Sequence, residues 1–579
     1  MRRTRSFIAS LAVVALAGVG LAGPASASHP QQTGVDDSRP HGARVALKNA
    51  SGADVGTVDL GFTGSRMNVR VRATGVSPGF HGFHVHSVGA CDGTTAPPFT
   101  SAGGHWNPDA AIHGSHDGDM PPLYANADGV VTADFTTDGF TLDQIRDADG
   151  SAVIMHAGTD NLGNIPTRYS YTNTDGSTGT GPDTTTKATG DAGARFACGV
   201  VPGATGDNHV SLPSSRSRTA RAVLRTSTGE AAGIVRLAPV GTDRLHVSVD
   251  ATGLTPGFHG FHVHAVGQCD GTTATPFSSA GGHLGSTTAD HGQHDGDLPA
   301  LFAAADGRAR AEFDTDNFTL AQALDADGGA LVVHAAADNL ANIPTRYSFT
   351  NADGTTGTGP DAATKATGDS GGRARCGVLV VPPPPTAVAL SIDVPVITAG
   401  NTPVLLSRVT DAAGAGAPDV EVTFWAKRYG DTAYSAFTSG LTDETGAVSL
   451  IVRPETQTAY VVRAGALASP RVLVQVNARV TLSSPAAGEV RTKPTVFRGT
   501  LTPAYVGAPV GLAMLTVTGA EQQWTYLGQT RSTAGGAFEI SRTLPNGEAT
   551  YVVYTPARQG TRRGSAALRL RVVTPLPPS

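Results

Sequence analysis

Histidines carry the most chemistry in this sequence. The 579-residue chain holds 18, and fourteen of them fall into two sets of seven with identical spacing. The first set is His81, His84, His86, His105, His113, His116 and His156. The second is His259, His262, His264, His283, His291, His294 and His334, each 178 residues further on. His84 and His86 lie two apart in Gly-Phe-His-Val-His, so on a strand both imidazoles face one side. His105 follows in a turn-rich Gly-Gly-His segment, and His113, His116 and Asp119 come at short spacing. His156 ends the apolar run Ala152-Val153-Ile154-Met155. Six imidazoles and a carboxylate are too many for one ion. They divide into an imidazole-rich site suited to copper and a site of three His plus Asp suited to tetrahedral zinc, with one His serving both. A lone histidine is more often structural than a ligand; a set duplicated at equal spacing reverses that expectation. His81 and His259 are assigned a structural role, bonding nearby backbone.

These side chains need a rigid β framework. Met67, Val69 and Val71 alternate with Asn68, Arg70 and Arg72; Leu245, Val247 and Val249 alternate with His246, Ser248 and Asp250. Period two with one apolar face predicts half-buried antiparallel strands. Segments rich in Gly, Pro and Asp separate them, and the 72 Gly and 37 Pro call for many turns. Charged residues make up 16%, against about 25% in an average domain, which disfavours helical bundles. The fold class is therefore all-β. Cys91, Cys198, Cys269 and Cys376 keep the 178-residue offset. Two cysteines per copy make Cys91–Cys198 and Cys269–Cys376 the natural disulfides.

The predicted organisation is a signal peptide at 1–27, a first copy at 43–203, a linker at 204–220, a second copy at 221–381, a proline linker at 382–385, and β-sandwich modules at 386–477 and 478–575. The signal peptide rests on Arg2, Arg3 and Arg5, the apolar run from Phe7 and the small-residue site Ala25-Ser26-Ala27. It implies a secreted protein, extracellular or cell-surface associated. No later apolar run is long enough for a membrane span. A net charge of −6 argues against nucleic acid as a partner. The C-terminal part weakly resembles immunoglobulin-like repeats of secreted bacterial proteins. Trp425 and Trp524 are expected in its core, with a glycan-binding face as the alternative.

Each repeat resembles copper/zinc superoxide dismutase. The resemblance rests on Gly82-Phe83-His84-Val85-His86, Gly104-His105, Asp119, His156 and Gly193-Ala194-Arg195-Phe196-Ala197-Cys198-Gly199-Val200. It covers about 43–203 and 221–381, and implies two tandem Greek-key β-barrels with long loops over one end. By resemblance, His84, His86, His105 and His156 are copper ligands, and His105, His113, His116 and Asp119 zinc ligands, with His105 the bridge. In the second copy copper falls to His262, His264, His283 and His334, and zinc to His283, His291, His294 and Asp297. Asp160 and Asp338 match the carboxylate that links a copper ligand to a zinc ligand. Arg195 and Arg373 match the arginine that holds the anionic substrate. The family separates its second and third zinc histidines by a longer loop; here only Gly114-Ser115 and Gly292-Gln293 intervene, which leaves a copper-only site as an alternative. The second copy also replaces Trp106-Asn107-Pro108 by Leu284-Gly285-Ser286, a change that could alter loop packing. Arg168, Lys187, Arg346 and Lys365 could steer substrate, although solvated loop charges are the commoner case.

The implied activity is dismutation of superoxide to oxygen and hydrogen peroxide, with superoxide as the small-molecule partner. The competing readings are a non-catalytic extracellular copper-binding or storage protein on the same scaffold, and a structural protein whose C-terminal modules contact cell wall or glycan. The sequence leaves open whether the two copies pair within the chain.

Overall fold

The computed structural model describes residues 42–63, 66–203, 220–490 and 494–573. The signal-peptide region 1–27 and all of the 204–220 linker except Ala220 lie outside the described residues. Among the described residues nearly all the regular structure is strand, with a few short helices. None of those helices is long and apolar enough to cross a membrane.

The first barrel is an antiparallel ring. Strand Ala43–Asn49 pairs with Asp54–Thr63, which pairs with Arg66–Ala73, and that in turn with Val131–Thr137. On its other side Ala43–Asn49 meets Arg195–Val200, which pairs with Ala152–His156, which pairs with Phe83–His86. Gly79–His81 pairs with Leu123–Ala125, which meets Val131–Thr137. The ring closes at Gly82, the single residue between Gly79–His81 and Phe83–His86. A Cβ at Gly82 would lie 2.6 Å from the Ala192 side chain, so the corner needs glycine. The second copy repeats this ring, for example Phe261–His264 on Ala330–His334 and Ala330–His334 on Arg373–Val378.

Alternation works as the sequence indicates on the barrel interior. Ala43, Val45 and Leu47 are buried while Arg44 and Ala46 are exposed. On strand Arg66–Ala73 the outward Asn68 is buried as well. Its amide donates to Asp134 at 2.5 Å. Val131–Thr137, the strand that carries Asp134, also pairs antiparallel with Ala309–Thr315 of the second copy. In that register Ala133 faces Phe313 and Phe135 faces Ala311, with Asp134 opposite Glu312. The 178-residue offset makes this arrangement self-reciprocal about Asp134 and Glu312. A second such point is Ser170 opposite Ser348, where two hairpins join into a four-stranded sheet. The main apolar cores of both barrels form one continuous cluster.

Cys91 is bonded to Cys198 and Cys269 to Cys376, each across 107 residues. Each bridge ties the loop after the His-x-His strand to the strand that starts with Arg195 or Arg373. Phe99, Ala102 and Ile154 pack around the first, Phe277, Ala280 and Val332 around the second.

Beyond the Pro-rich segment the chain forms two further pairs of sheets, each with its own core: Val388 to Val476 and Val480 to Val572. Arg221 and Arg236 of the second barrel both bind Asp419 of the first of these modules, and Arg221 also binds Glu444. The expectation that Trp425 and Trp524 are core residues is corrected here. Trp524 is 56% exposed, because it sits on Glu521–Arg531, the edge strand of its sheet. Trp425 is half-buried under the guanidinium of Arg463, 4.6 Å from the ring centre.

Replacing Cys91 and Cys198 together by Ala should lower stability by roughly 2–5 kcal/mol. A denaturant titration that follows the first barrel would show this as a reduced midpoint.

Candidate metal centre

Strand Phe83–His86 is buried along its whole length. Its register against Ala152–His156 sets His84 opposite Ile154 and His86 opposite Ala152. Its other edge makes isolated bridges, His84 to Asp119 and His86 to His105. One short strand therefore touches every element that carries a predicted ligand. His156 ends the neighbouring strand, and Arg195 stands directly opposite it at a β-bulge.

Four imidazoles, His84, His86, His105 and His156, each offer a nitrogen, all within 4.8 Å of one another. His262, His264, His283 and His334 do the same. In the first copy His84 Nδ1, His86 Nε2 and His156 Nε2 are buried without any hydrogen-bond partner. Orphaned buried acceptors of this kind are costly unless something electron-poor lies between them. The opposite ring nitrogens are all engaged. His86 Nδ1 donates to the Gly103 carbonyl at 3.1 Å, His156 Nδ1 to Gly193 at 3.1 Å, and His84 Nε2 to Asp160 at 2.6 Å. These bonds fix each tautomer and aim each lone pair inward.

The second cluster has tighter geometry. His105 Nδ1 lies 3.1 Å from Asp119 Oδ1, His113 Nδ1 3.2 Å and His116 Nδ1 3.4 Å from the same oxygen. His105 Nδ1 and His116 Nδ1 are 3.2 Å apart. Four donors at about 2.0–2.1 Å around a tetrahedral ion stand roughly 3.3 Å from one another, so these distances match a zinc cage. The second copy gives 3.2, 3.1 and 3.4 Å from Asp297 Oδ1 to His283, His291 and His294. The tight His-x-x-His turn thus does bring both histidines to the cluster. Asp119 Oδ2 holds it together by accepting from the backbone of Gly114 at 2.7 Å and His116 at 3.1 Å. Leu284 N still donates to Val263, as Trp106 N does to Val85, but the turn that follows differs: the first copy takes its positive φ at Ala110, whose N donates to Asn107, whereas the second takes it at Gly285, with Ser286 N donating to His283.

His105 belongs to both clusters. Asp160, wholly buried, links them a second time, through His84 at 2.6 Å and His113 Nε2 at 2.8 Å. Asp338 repeats this with His262 and His291. Burial alone would raise the Asp160 pKa; the charge and hydrogen bond of His113 and the bond from His84 outweigh it and hold the carboxyl below its usual range. His113 responds in kind. Burial opposes its charge, but Asp160 and Asp119 lift its pKa to about 10. His105 and His86 go the other way. Burial and the neighbouring His84 hold His105 at about 3, and burial with His105, His156 and Arg195 pushes His86 well below its ordinary value.

Arg195 is half-buried, and burial lowers its pKa slightly against a value far above neutrality, so it stays charged. It donates to the Phe99 carbonyl and to the Gly103 carbonyl, both at 2.5 Å. Gly103 therefore holds the guanidinium and His86 with one oxygen. Arg373 uses Phe277 and Gly281 in the same way, with His264 on Gly281 at 3.0 Å.

A family model described as copper/zinc superoxide dismutase matches residues 55–201 and 231–379. The chain belongs to the copper/zinc superoxide dismutase family. Relatives named Superoxide dismutase [Cu-Zn] include one from Mycolicibacterium paratuberculosis, 37% identical over 187 residues, which cover 30% of this chain and 80% of that protein. One from Mycobacterium tuberculosis is 38% identical over 183 residues, 29% of this chain and 74% of the relative. One from Brucella abortus is 32% identical over 167 residues, 27% and 83%. Copper and zinc are the metals this family implies, and both superoxide dismutase copies offer donor sets that fit them.

The expectation that Arg168 and Arg346 could steer substrate is corrected here. Arg168 and Arg346 are not free to steer substrate: each is locked onto carboxylates of the other copy, Arg168 on Asp361 at 2.5 Å and Arg346 on Asp183 at 2.5 Å. Lys365 pairs with Asp290 at 3.0 Å, and Lys187 is exposed. His81 is structural, bridging the His156 and Ser77 carbonyls at 2.8 and 2.7 Å. Sequence reasoning missed the roles of Gly103, Gly193 and Gly190. A Cβ on Gly190 would fall 2.1 Å from both Asp160 Oδ1 and His113 Nε2. All three glycines recur at the 178-residue offset, as Gly281, Gly371 and Gly368, which is the signal that could have found them.

Because His113 and His291 carry a proton below about pH 10 in the metal-free protein, zinc must displace it. Loading apo protein with zinc at pH 7–8 should release about one proton per copy from this residue, and apparent zinc affinity should weaken as pH falls. Calorimetry in buffers of different ionisation enthalpy measures the release. His86 and His156 are already neutral there, so copper loading should draw no proton from them.

Proposed function

We propose that each copy is a superoxide dismutase site, converting superoxide to oxygen and hydrogen peroxide, in a secreted protein. Copper would be held by His84, His86, His105 and His156, and by His262, His264, His283 and His334. Zinc would be held by His105, His113, His116 and Asp119, and by His283, His291, His294 and Asp297. The observation that carries this reading is the shared Gly103 carbonyl, which fixes a permanent cation beside an inward-facing, nitrogen-rich cluster. Copper bound there would supply the one-electron redox change.

The chain's own residues do the rest. Arg195 and Arg373 draw in and orient a small anion, and the fixed guanidinium needs no reorganisation when it arrives. His105 presents Nδ1 to the carboxylate cluster and its other nitrogen to the imidazole cluster. That second nitrogen, Nε2, is the atom placed to hold a proton for the peroxide product. Asp160 keeps His84 and His113 in one tautomer throughout. Buried walls exclude bulk water from all four rings.

Secretion is supported by the Arg-rich start and small-residue cleavage site, and by disulfides, which persist in oxidising compartments. We propose too that the two copies work as an intramolecular pair; the reciprocal contacts around Asp134–Glu312 and Ser170–Ser348 support this. The C-terminal modules, which contain neither His nor Cys, fit a stalk or a contact to cell wall or glycan rather than a catalytic role.

The alternative is a copper store on the same scaffold, for which a clamped arginine has no use. Replacing Arg195 and Arg373 together by Ala should retain copper but slow turnover by roughly tenfold or more, and should flatten its dependence on salt. Turnover and salt dependence unchanged from the parent protein would remove the arginines from the mechanism.

A further inference from the structure

Zinc ligand His113 and the linking carboxylate Asp160 lean on a short helix, Thr184–Thr189, and its cap. His113 N donates to the Lys187 carbonyl at 2.8 Å, and Asn161 N donates to the Gly190 carbonyl at 2.9 Å. Gly190 itself packs against both functional side chains, with no room for a Cβ. A six-residue helix has little stability of its own. Its N-cap is Asp183, which accepts from Thr186 N at 2.8 Å. Just past its C-terminal end comes Asp191, which accepts from Thr186 Oγ1 at 2.6 Å.

Both ends are gripped from the other copy. Arg346 reaches Asp183 Oδ2 through Nε at 2.5 Å and Asp183 Oδ1 through Nη2 at 3.0 Å. The same Nη2 reaches Thr186 Oγ1 at 2.7 Å and Asp191 Oδ1 at 2.8 Å. Tyr347 OH accepts from Asp183 N at 2.7 Å and bonds Thr186 Oγ1 at 2.7 Å. The mirror set places Arg168 on Asp361, Thr364 and Asp369, and Tyr169 OH against Asp361 N and Thr364. Asn342 adds a bond to the Thr159 carbonyl, beside Asp160, at 2.5 Å. The tyrosines are fully buried, packed with Ile165 and Ile343 in a small cluster shared by the two copies.

We propose that Arg346 and Tyr347 are positioning residues for the metal pair of the first copy, and Arg168 and Tyr169 for that of the second, so that each centre is braced by the opposite copy. This rests on the pairing proposed above. A bidentate arginine held by two carboxylates fixes the spacing between the helix ends. The helix in turn fixes where Gly190 stands, and with it the wall against which Asp160 orients His84 and His113. Outer contacts of this kind typically change metal affinity by about 10–100-fold when removed. The brace also explains why Arg168 and Arg346 recur at the repeat offset although neither approaches a ligand nitrogen.

The test uses full-length protein in two backgrounds: H294A, which leaves the intact zinc set in the first copy, and H116A, which leaves it in the second. Zinc release to a chelator is timed in each, and the cobalt-substituted protein is monitored by its absorption spectrum. In the H294A background R346A should speed release about tenfold and shift the cobalt spectrum, while R168A should have the smaller effect. In the H116A background the order should reverse. Y347F, which removes only a hydroxyl, should act in the same background as R346A but more weakly. Release rates unchanged by R346A, or equal acceleration in both backgrounds, would overturn the brace. A separate S170C/S348C variant reports on the pairing itself. A cross-link between the new cysteines together with unchanged zinc release rejects the brace alone; absence of the cross-link rejects the pairing as well.

Discussion

A single buried carboxylate in each copy organises the rest. Asp160 accepts from His84 with one oxygen and from His113 with the other, in a site with no exposed surface. An ionised carboxylate there is tolerable only because two imidazole N–H groups and the Leu162 amide, at 2.7 Å, satisfy it. In return it dictates which nitrogen of each ring is left to face inward. The imidazole-rich cluster and the tetrahedral cluster are thereby set relative to one another by one rigid group, independently of the shared His105. The rest of the barrel acts to keep that carboxylate dry and in register.

The electrostatics follow from the same constraint. Burial drives His86, His105 and His156 to their neutral, electron-donating form, whereas two carboxylates force a proton onto His113. Neighbouring rings such as His105 and His113, with centres 5.1 Å apart, thus hold different protonation states before any metal arrives. The positive charge needed for an anionic substrate is supplied separately, by an arginine whose hydrogen bonds go to backbone carbonyls rather than to a neutralising acid. That choice of partner leaves its charge uncompensated, which an ion pair would not.

Duplication within one chain changes what an interface can do. Arg346 and Arg168 form partly exposed ion pairs, which in isolation contribute little stability. Here each is a fork on two carboxylates that flank a six-residue helix, and the tyrosine beside it is fully buried. Because the partner is covalently attached, the contact forms at high effective concentration. Contacts that would be marginal between separate molecules can therefore serve as permanent scaffolding.

Much of the site was legible without coordinates. Equal spacing in two copies marked His84, His86, His105, His113, His116, Asp119 and His156 as one set, because side-chain chemistry and sequence offset are both properties of the linear chain. The same offset chose the disulfides. Alternating Val and Leu marked the strands, since a half-buried sheet imposes period two on composition. What the chain alone could not decide was how surfaces meet. Asn68 looked solvent-facing but is buried, Arg168 and Arg346 looked like loop charges but are clamped, and Trp524 looked like core but lies on an edge strand. Each of these depends on how segments far apart in sequence approach one another. The tight His-x-x-His turn likewise became a sound tetrahedral cage only through Asp119, whose second oxygen captures the turn's own amides, a contact that exists only after the loop has folded back on itself.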